Sequence, residues 1–376
     1  MFRGKYHKEA CQQKKKDKME DKLHQACSDG KVEEVRKLLQ KLLRNSQINI
    51  NCQNPSSKTP FYIVCEKGHI EVVKLLLNDQ RIADINKVDP NKANKYDQTP
   101  FFIACGNGHI EIVKLLLNDQ KIDINKANDD GVTPFSIACE EGYIDIVKLL
   151  LNDKRVDINK AKNDGTTPLY VACRWGYIEI VKLLLNDQRV DVNKANNGGE
   201  TPFWIACYYG HIEIVKLLLN NNIVDINKAN KNEETPFYIA CQKGHIEIVK
   251  LLLNDNRVDI NKPLNDGSPP FWYVCYYGHI EIVKLLLNDE RVDINKARND
   301  GATPFLMACI NGRTEVVKCL RESGREIDIN TTYFGRTGLY FARQKGNTDI
   351  VELIESFQQN QNETRIKSRK EFGKFI

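Results

Sequence analysis

The residues of this sequence best suited to chemistry are cysteines and histidines, and they recur at a fixed interval. Cys105, Cys139, Cys173, Cys207, Cys241, Cys275 and Cys309 stand 34 residues apart. In five places a histidine follows the cysteine by four: Cys65 and His69, Cys105 and His109, Cys207 and His211, Cys241 and His245, Cys275 and His279. Such a pair suggests either metal ligation or a thiolate nucleophile with an imidazole base. Two ligands are too few for structural zinc. Equivalent positions on stacked helices lie roughly 8–10 Å apart, so a neighbouring copy cannot complete the set. The same separation exceeds the reach of a disulfide. A nucleophile also needs a third, orienting group and an oxyanion site, and five near-identical copies speak for a frame instead. The pattern therefore predicts cysteine as a small packing residue and histidine as a bridge between turns. Reduced thiols fit a cytoplasmic or nuclear setting. Cys11, Cys52 and Cys319 lie off the ladder, and any reactive thiol is expected among them. No metal or other cofactor is expected. The Asx-rich loops, such as 126–131, lack the D-x-D-x-D-G frame of a calcium loop, and no phosphate-binding glycine loop occurs. The sequons at Asn330 and Asn362 carry no weight without secretion.

The elements that must position these residues repeat with the same period. Thr-Pro pairs begin at Thr59, Thr99, Thr133, Thr167, Thr201 and Thr235, and the slot continues as Pro269, Thr303 and Thr337. A degenerate copy begins near 21, which makes about ten copies across 21–355. In one copy, Thr99 is suited to cap a helix and Pro100 to its first turn. Phe101, Ala104 and Cys105 share a face by their spacing, and Gly108 lets the chain turn. A second helix carries Ile112, Val113, Leu116 and Leu117 on one face and a Glu111–Lys114 pair outside. Asn118 reads as a left-handed terminator. VDIN segments with NDG tips then read as an extended, hairpin-like connection. A unit this small cannot bury its apolar face alone, so neighbours must stack. The fold class predicted is all-α, a helix-turn-helix array with capping ends. The last copy has Gly338 for proline, Arg343 for cysteine and a polar final helix.

The phrase TPFYIACQKGHIEIVKLLL resembles the ankyrin repeat. The likeness covers nearly the whole of 21–355, with departures. The usual leucine is mostly phenylalanine, the usual histidine is mostly aromatic, the second small residue is cysteine, and the period is one residue longer than the common 33. The resemblance implies a curved helical solenoid with its first helices on the concave side, and protein binding rather than catalysis.

The copies differ most in the two slots after the cysteine, and again in the slot four before the first of these. This places Tyr170, Arg174, Trp175, Trp204, Tyr208, Tyr209, Tyr238, Trp272, Tyr276 and Tyr277 as a candidate aromatic stripe for a protein partner. The hairpin tips at 128–132, 162–166, 196–200 and 230–234 are a second candidate surface. An insertion within 83–98 predicts one tip that projects further.

The net charge is +5, distributed as +4 in residues 1–20, +3 in 356–376 and −2 in the body between. The ends are expected to be disordered tails. They leave open a weak attraction to nucleic acid, whereas the body offers no basic nucleic-acid surface. No apolar run is long enough for a membrane span, and no secretory signal is recognised. The reading is a monomeric adaptor or scaffold. Its alternatives are a recruiting subunit of an enzyme complex and a nucleic-acid-associated factor acting through its tails.

Overall fold

The structure, a computed structural model, describes residues 2–44, 49–78 and 88–359; over 2–12, 42–44 and 78 it describes the backbone alone. The chain divides into two compact units, residues 1–197 and 198–376. Each unit is a stack of helix pairs, as the spacing predicts. A first helix begins at each Pro of the Thr-Pro slot, for example Pro134–Glu140 and Pro202–Tyr209, and a second begins two residues after the glycine, as in Ile144–Leu151 and Ile212–Leu219. Consecutive first helices pack more closely than consecutive second helices within a unit.

Local chemistry explains the frame. Thr99, Thr133, Thr201 and Thr235 each accept the N–H three residues on, at 3.0–3.1 Å. Gly108 closes its first helix at φ +77°, and a Cβ there would meet the Tyr143 ring at 2.6 Å, so both backbone and packing demand glycine. The cysteine ladder is buried throughout, together with Phe101, Phe203, Phe237 and the Ile-Val-Leu face of the second helices. The expected left-handed asparagine does not occur. Asn118 is right-handed at φ −74°, and the turn is made instead by Asp119, whose carboxylate accepts the Lys121 N–H at 2.9 Å.

Neighbouring copies are joined by polar ladders as well as by packing. Asn125 donates to the Arg155 carbonyl at 2.7 Å and accepts the Asp157 N–H at 2.9 Å, and Asn159, Asn227 and Asn261 hold the same Arg carbonyl one repeat on. Arg155 in turn donates to the Leu117 carbonyl at 2.9 Å, capping the second helix of the preceding repeat. The hairpin tips are laced by backbone bonds: Asn163 N–H donates to Asp130 O at 3.0 Å, and Asn299 N–H to Asp266 O at 2.8 Å.

Three further expectations change. Residues Phe2–Ser28 form one helix, so 2–20 is not an unstructured segment. From Lys5 to Ser28 the segment has no glycine or proline and is rich in helix formers. Gln13 donates to Asp17 at 2.7 Å, and Leu23, Ala26 and Cys27 bury its end. The tip in the copy with the insertion does not project. Asn94 N–H donates to Gln98 O just as Asn128 N–H donates to Val132 O, each at 3.0 Å, and Asp129 N–H donates to Tyr96 O at 3.2 Å, in line with the next tip. The phrase VDPNKANKYDQ aligns with IDINKANDDGV without a gap, so the six extra residues fall before it, in a stretch that includes 79–87, outside the described residues. The expected C-terminal tail from 356 is helical as far as 359; the remainder also lies outside the described residues.

Candidate protein-binding surfaces

The cysteine–histidine pairs are separated by the fold. The thiols point into the core, where burial pushes Cys65, Cys105, Cys139, Cys173 and Cys241 well above the usual thiol range. The histidines point toward the preceding repeat. His69 Nε2 donates to Ser28 O at 2.9 Å, His109 to Glu66 O at 3.0 Å, His245 to Tyr208 O at 2.9 Å and His279 to Gln242 O at 3.0 Å. Arg313 takes the same role at the next position, donating to Tyr276 O at 3.0 Å. Of the off-ladder thiols, Cys52 is buried and pushed up to about 12 by that burial, while Cys319 is half-buried. The Cys11 side chain lies outside the described residues. Among the described residues no three His, Cys, Asp or Glu side chains gather as a ligand set.

The ten residues of the aromatic stripe separate by depth. Tyr170, Trp204, Tyr238 and Trp272 are buried, so these four do not belong to an exposed partner-binding stripe. Each fills the gap beneath the following repeat. The indole N–H of Trp204 donates to Glu234 O at 2.9 Å, and that of Trp272 to Ala302 O at 2.9 Å. Both acceptors immediately precede the next repeat's capping threonine. Tyr170 Oη accepts from Asn196 Nδ2 at 3.3 Å. In the two tryptophans a flat ring with one polar atom both packs and satisfies a carbonyl, whereas the buried Tyr238 hydroxyl has no hydrogen-bond partner among the described residues. The i, i+4 spacing brings the neighbour over it as a lid: Tyr208 stacks on Trp204 at 5.3 Å and Tyr276 on Trp272 at 5.4 Å.

The other six reach the surface. In unit 1, Arg174 is exposed and lies over the Trp175 ring at 5.7 Å, with Trp175 54% exposed. In unit 2, Tyr208 and Tyr276 are half-buried, and Tyr209 and Tyr277 are each 43% exposed. Tyr208 and Tyr209 meet edge to face at 5.0 Å, and Tyr276 and Tyr277 do likewise at 5.0 Å. Lys243, from the following repeat, sits over Tyr208 at 4.3 Å. Two members were not singled out from sequence. Lys243 is one. The other is Tyr273, which stands where most copies have isoleucine and links Trp272 at 4.8 Å with Tyr238 at 5.1 Å. Its departure from the repeat frame was the available signal.

Unit 1 carries a different feature. A recess of about 630 Å³ opens along the first helices Pro100–Gly106 and Pro134–Glu140 and the adjoining hairpin tips. Buried Phe102 and Val132 and half-buried Ile137 line its depth, and exposed Asp130, Glu141 and Asp164 its mouth.

The family model for ankyrin repeats in three copies matches residues 23–128, 80–161, 122–196, 188–263 and 271–365, and that for many copies matches 247–287. No curated protein matches the sequence. Among the described residues no helix is long and apolar enough to cross a membrane.

Proposed function

Because the chain belongs to the ankyrin repeat family, we propose that it is a non-catalytic scaffold or adaptor that binds a protein partner through the exposed aromatic residues of its first helices. Ankyrin repeats as a class are protein-interaction modules. The observation that carries the reading here is the paired tyrosine surface of unit 2. Tyr208, Tyr209, Tyr276 and Tyr277 belong to the variable slots, satisfy no packing need shared by all copies, and expose rings of the type that interface hot spots favour. Arg174 and Trp175 supply the corresponding contact in unit 1. The repeats of 21–355 act as a monomeric array in a reducing compartment, where ten buried cysteines remain thiols.

Photo-crosslinking from positions 209 and 277 of the full chain tests the reading. A covalent adduct should form with a discrete partner. Replacing Tyr208, Tyr209, Tyr276 and Tyr277 by serine should lower capture of that partner more than tenfold while leaving the melting temperature within a few degrees. Undiminished capture by the correctly melting variant would sink it.

A further inference from the structure

The recess of unit 1 opens beside a variable slot pair that carries no large side chain. Gly106 and Asn107, which line it, stand where other copies carry Tyr-Tyr or Arg-Trp. A Cβ on Gly106 would already meet Ile137 at 3.1 Å, so even a small side chain would encroach on the space between these helices. Glu140 and Glu141, in the same slot pair one repeat on, also line the recess. The hollow falls within the ~300–1,000 Å³ range of ligand clefts.

Its charge is one-sided. Asp130, Glu140, Glu141 and Asp164 line it against a single cation, Lys162. Lys162 is occupied by Glu140 at 2.5 Å, and Asp164 accepts from its own neighbour Thr166 at 2.7 Å. The carboxylates of Asp130 and Glu141 have no hydrogen-bond or ion-pair partner among the described residues. Two unpaired carboxylates at the mouth of a hollow with apolar walls match a cationic group on an apolar stem. Arg and Lys side chains are built that way, burying the stem while the head stays near water.

We propose that this recess binds an extended polypeptide segment that presents arginine or lysine, with the aliphatic stem against Phe102 and Ile137 and the charged head between Asp130 and Glu141. The site lies within unit 1 and stands whether or not the tyrosines of unit 2 bind protein.

The test is fluorescence anisotropy on the full chain, using a labelled dodecapeptide with alternating arginine and leucine and a second with glutamate for arginine. The arginine peptide should bind at least tenfold more tightly, with affinity falling as salt rises. Asp130→Lys with Glu141→Lys should weaken it at least tenfold. Asn107→Tyr should do the same by filling the hollow, and tyrosine already occupies this slot at 209 and 277, so the variant should fold. Glu179→Lys with Glu111→Lys, an equal charge change on the second helices, should keep binding within twofold. Equal binding of both peptides, indifference to the two recess variants, or an equal loss in the second-helix control would overturn the proposal. Loss only on replacing Tyr208, Tyr209, Tyr276 and Tyr277 would also overturn it, while supporting the aromatic surface of unit 2.

Discussion

In unit 1 the slots after the cysteine hold Gly106-Asn107 and Glu140-Glu141; in unit 2 the same slots hold Tyr208-Tyr209 and Tyr276-Tyr277. The backbone beneath is shared by both: a fully buried cysteine, a left-handed glycine and an apolar second helix, with a Thr cap throughout except at Pro269. One unit presents a hollow with an acidic mouth, the other a raised aromatic surface closed over its own tryptophans. Stability is carried by the invariant frame and its nearest-neighbour contacts, which leaves the variable slots available for recognition. A repeat protein can thus hold two chemically opposite surfaces without altering its architecture.

The largest test of this division is Trp272→Ala. Trp272 is 2% exposed, packs with Ala302, Leu306 and Met307, and its N–H satisfies the Ala302 carbonyl. Truncation should cost about 3–5 kcal/mol in urea unfolding. Trp175→Ala, at a 54% exposed ring, should change stability by less than about 0.5 kcal/mol. Comparable losses at both sites would erase the distinction between the lid and the slot beneath it.

A second test concerns a slot of unit 1 where a serine replaces the ring found in Tyr170 and Tyr238. Ser136 is fully buried and its hydroxyl has no hydrogen-bond partner among the described residues. An unsatisfied buried hydroxyl costs roughly 1–3 kcal/mol. Ser136→Ala should therefore raise stability by about 1 kcal/mol, read as a higher urea midpoint. A loss of stability would mean that the hydroxyl is satisfied in solution.

A third test uses a defect of the frame in unit 2. Pro269 occupies the threonine slot, and the helix Pro270–Tyr277 begins without a side-chain cap. Pro269→Thr should restore the bond that Thr235 makes to Tyr238 N–H at 3.0 Å. A cap is worth about 0.5–2 kcal/mol, reduced by the extra freedom of the unfolded chain once proline is gone. A net gain of about 0.5 kcal/mol is expected in the thermal unfolding of the variant.

The frame was legible because its signals are local. Threonine before proline, glycine at a fixed offset and a 3.6-period apolar face state their roles within a dozen residues. The surface was harder to read. Spacing put Trp204 and Tyr208 on one helix face, and they do share it, but spacing cannot say that the following repeat covers Trp204 and leaves Tyr208 as its lid. That depends on the position of Glu234, thirty residues away. A departure from the frame, such as Tyr273 for isoleucine, marks a position but does not say which rings it will touch. The hollow was invisible for a related reason: it opens beside an absent side chain at Gly106, and a small residue in sequence says nothing about whether its neighbours close the gap.

The smallest effect concerns a feature the two units share, and so should not distinguish them. Asp153 and Asp187 in unit 1 and Asp255 and Asp289 in unit 2 each pair with the arginine two residues on, at 2.6 Å. The hydrogen-bonded guanidinium holds each carboxyl below the usual aspartate range. A carboxyl depressed in the folded state contributes stability at pH above its unfolded value of about 3.9, and that contribution is lost as pH falls through the folded value. The pairs are partly exposed, so each is worth at most about 1 kcal/mol. Asp153→Asn with Asp187→Asn should lower the melting temperature slightly at pH 7, by an amount that shrinks as pH falls below the unfolded value and through the folded one. Asp255→Asn with Asp289→Asn should give the same trend. The arginine bonds to the preceding carbonyls, such as Arg155 to Leu117 O, do not titrate in this range and survive in both variants. A pH response confined to one unit would show that the frame itself differs between them, and the contrast could then no longer be assigned to the variable slots alone.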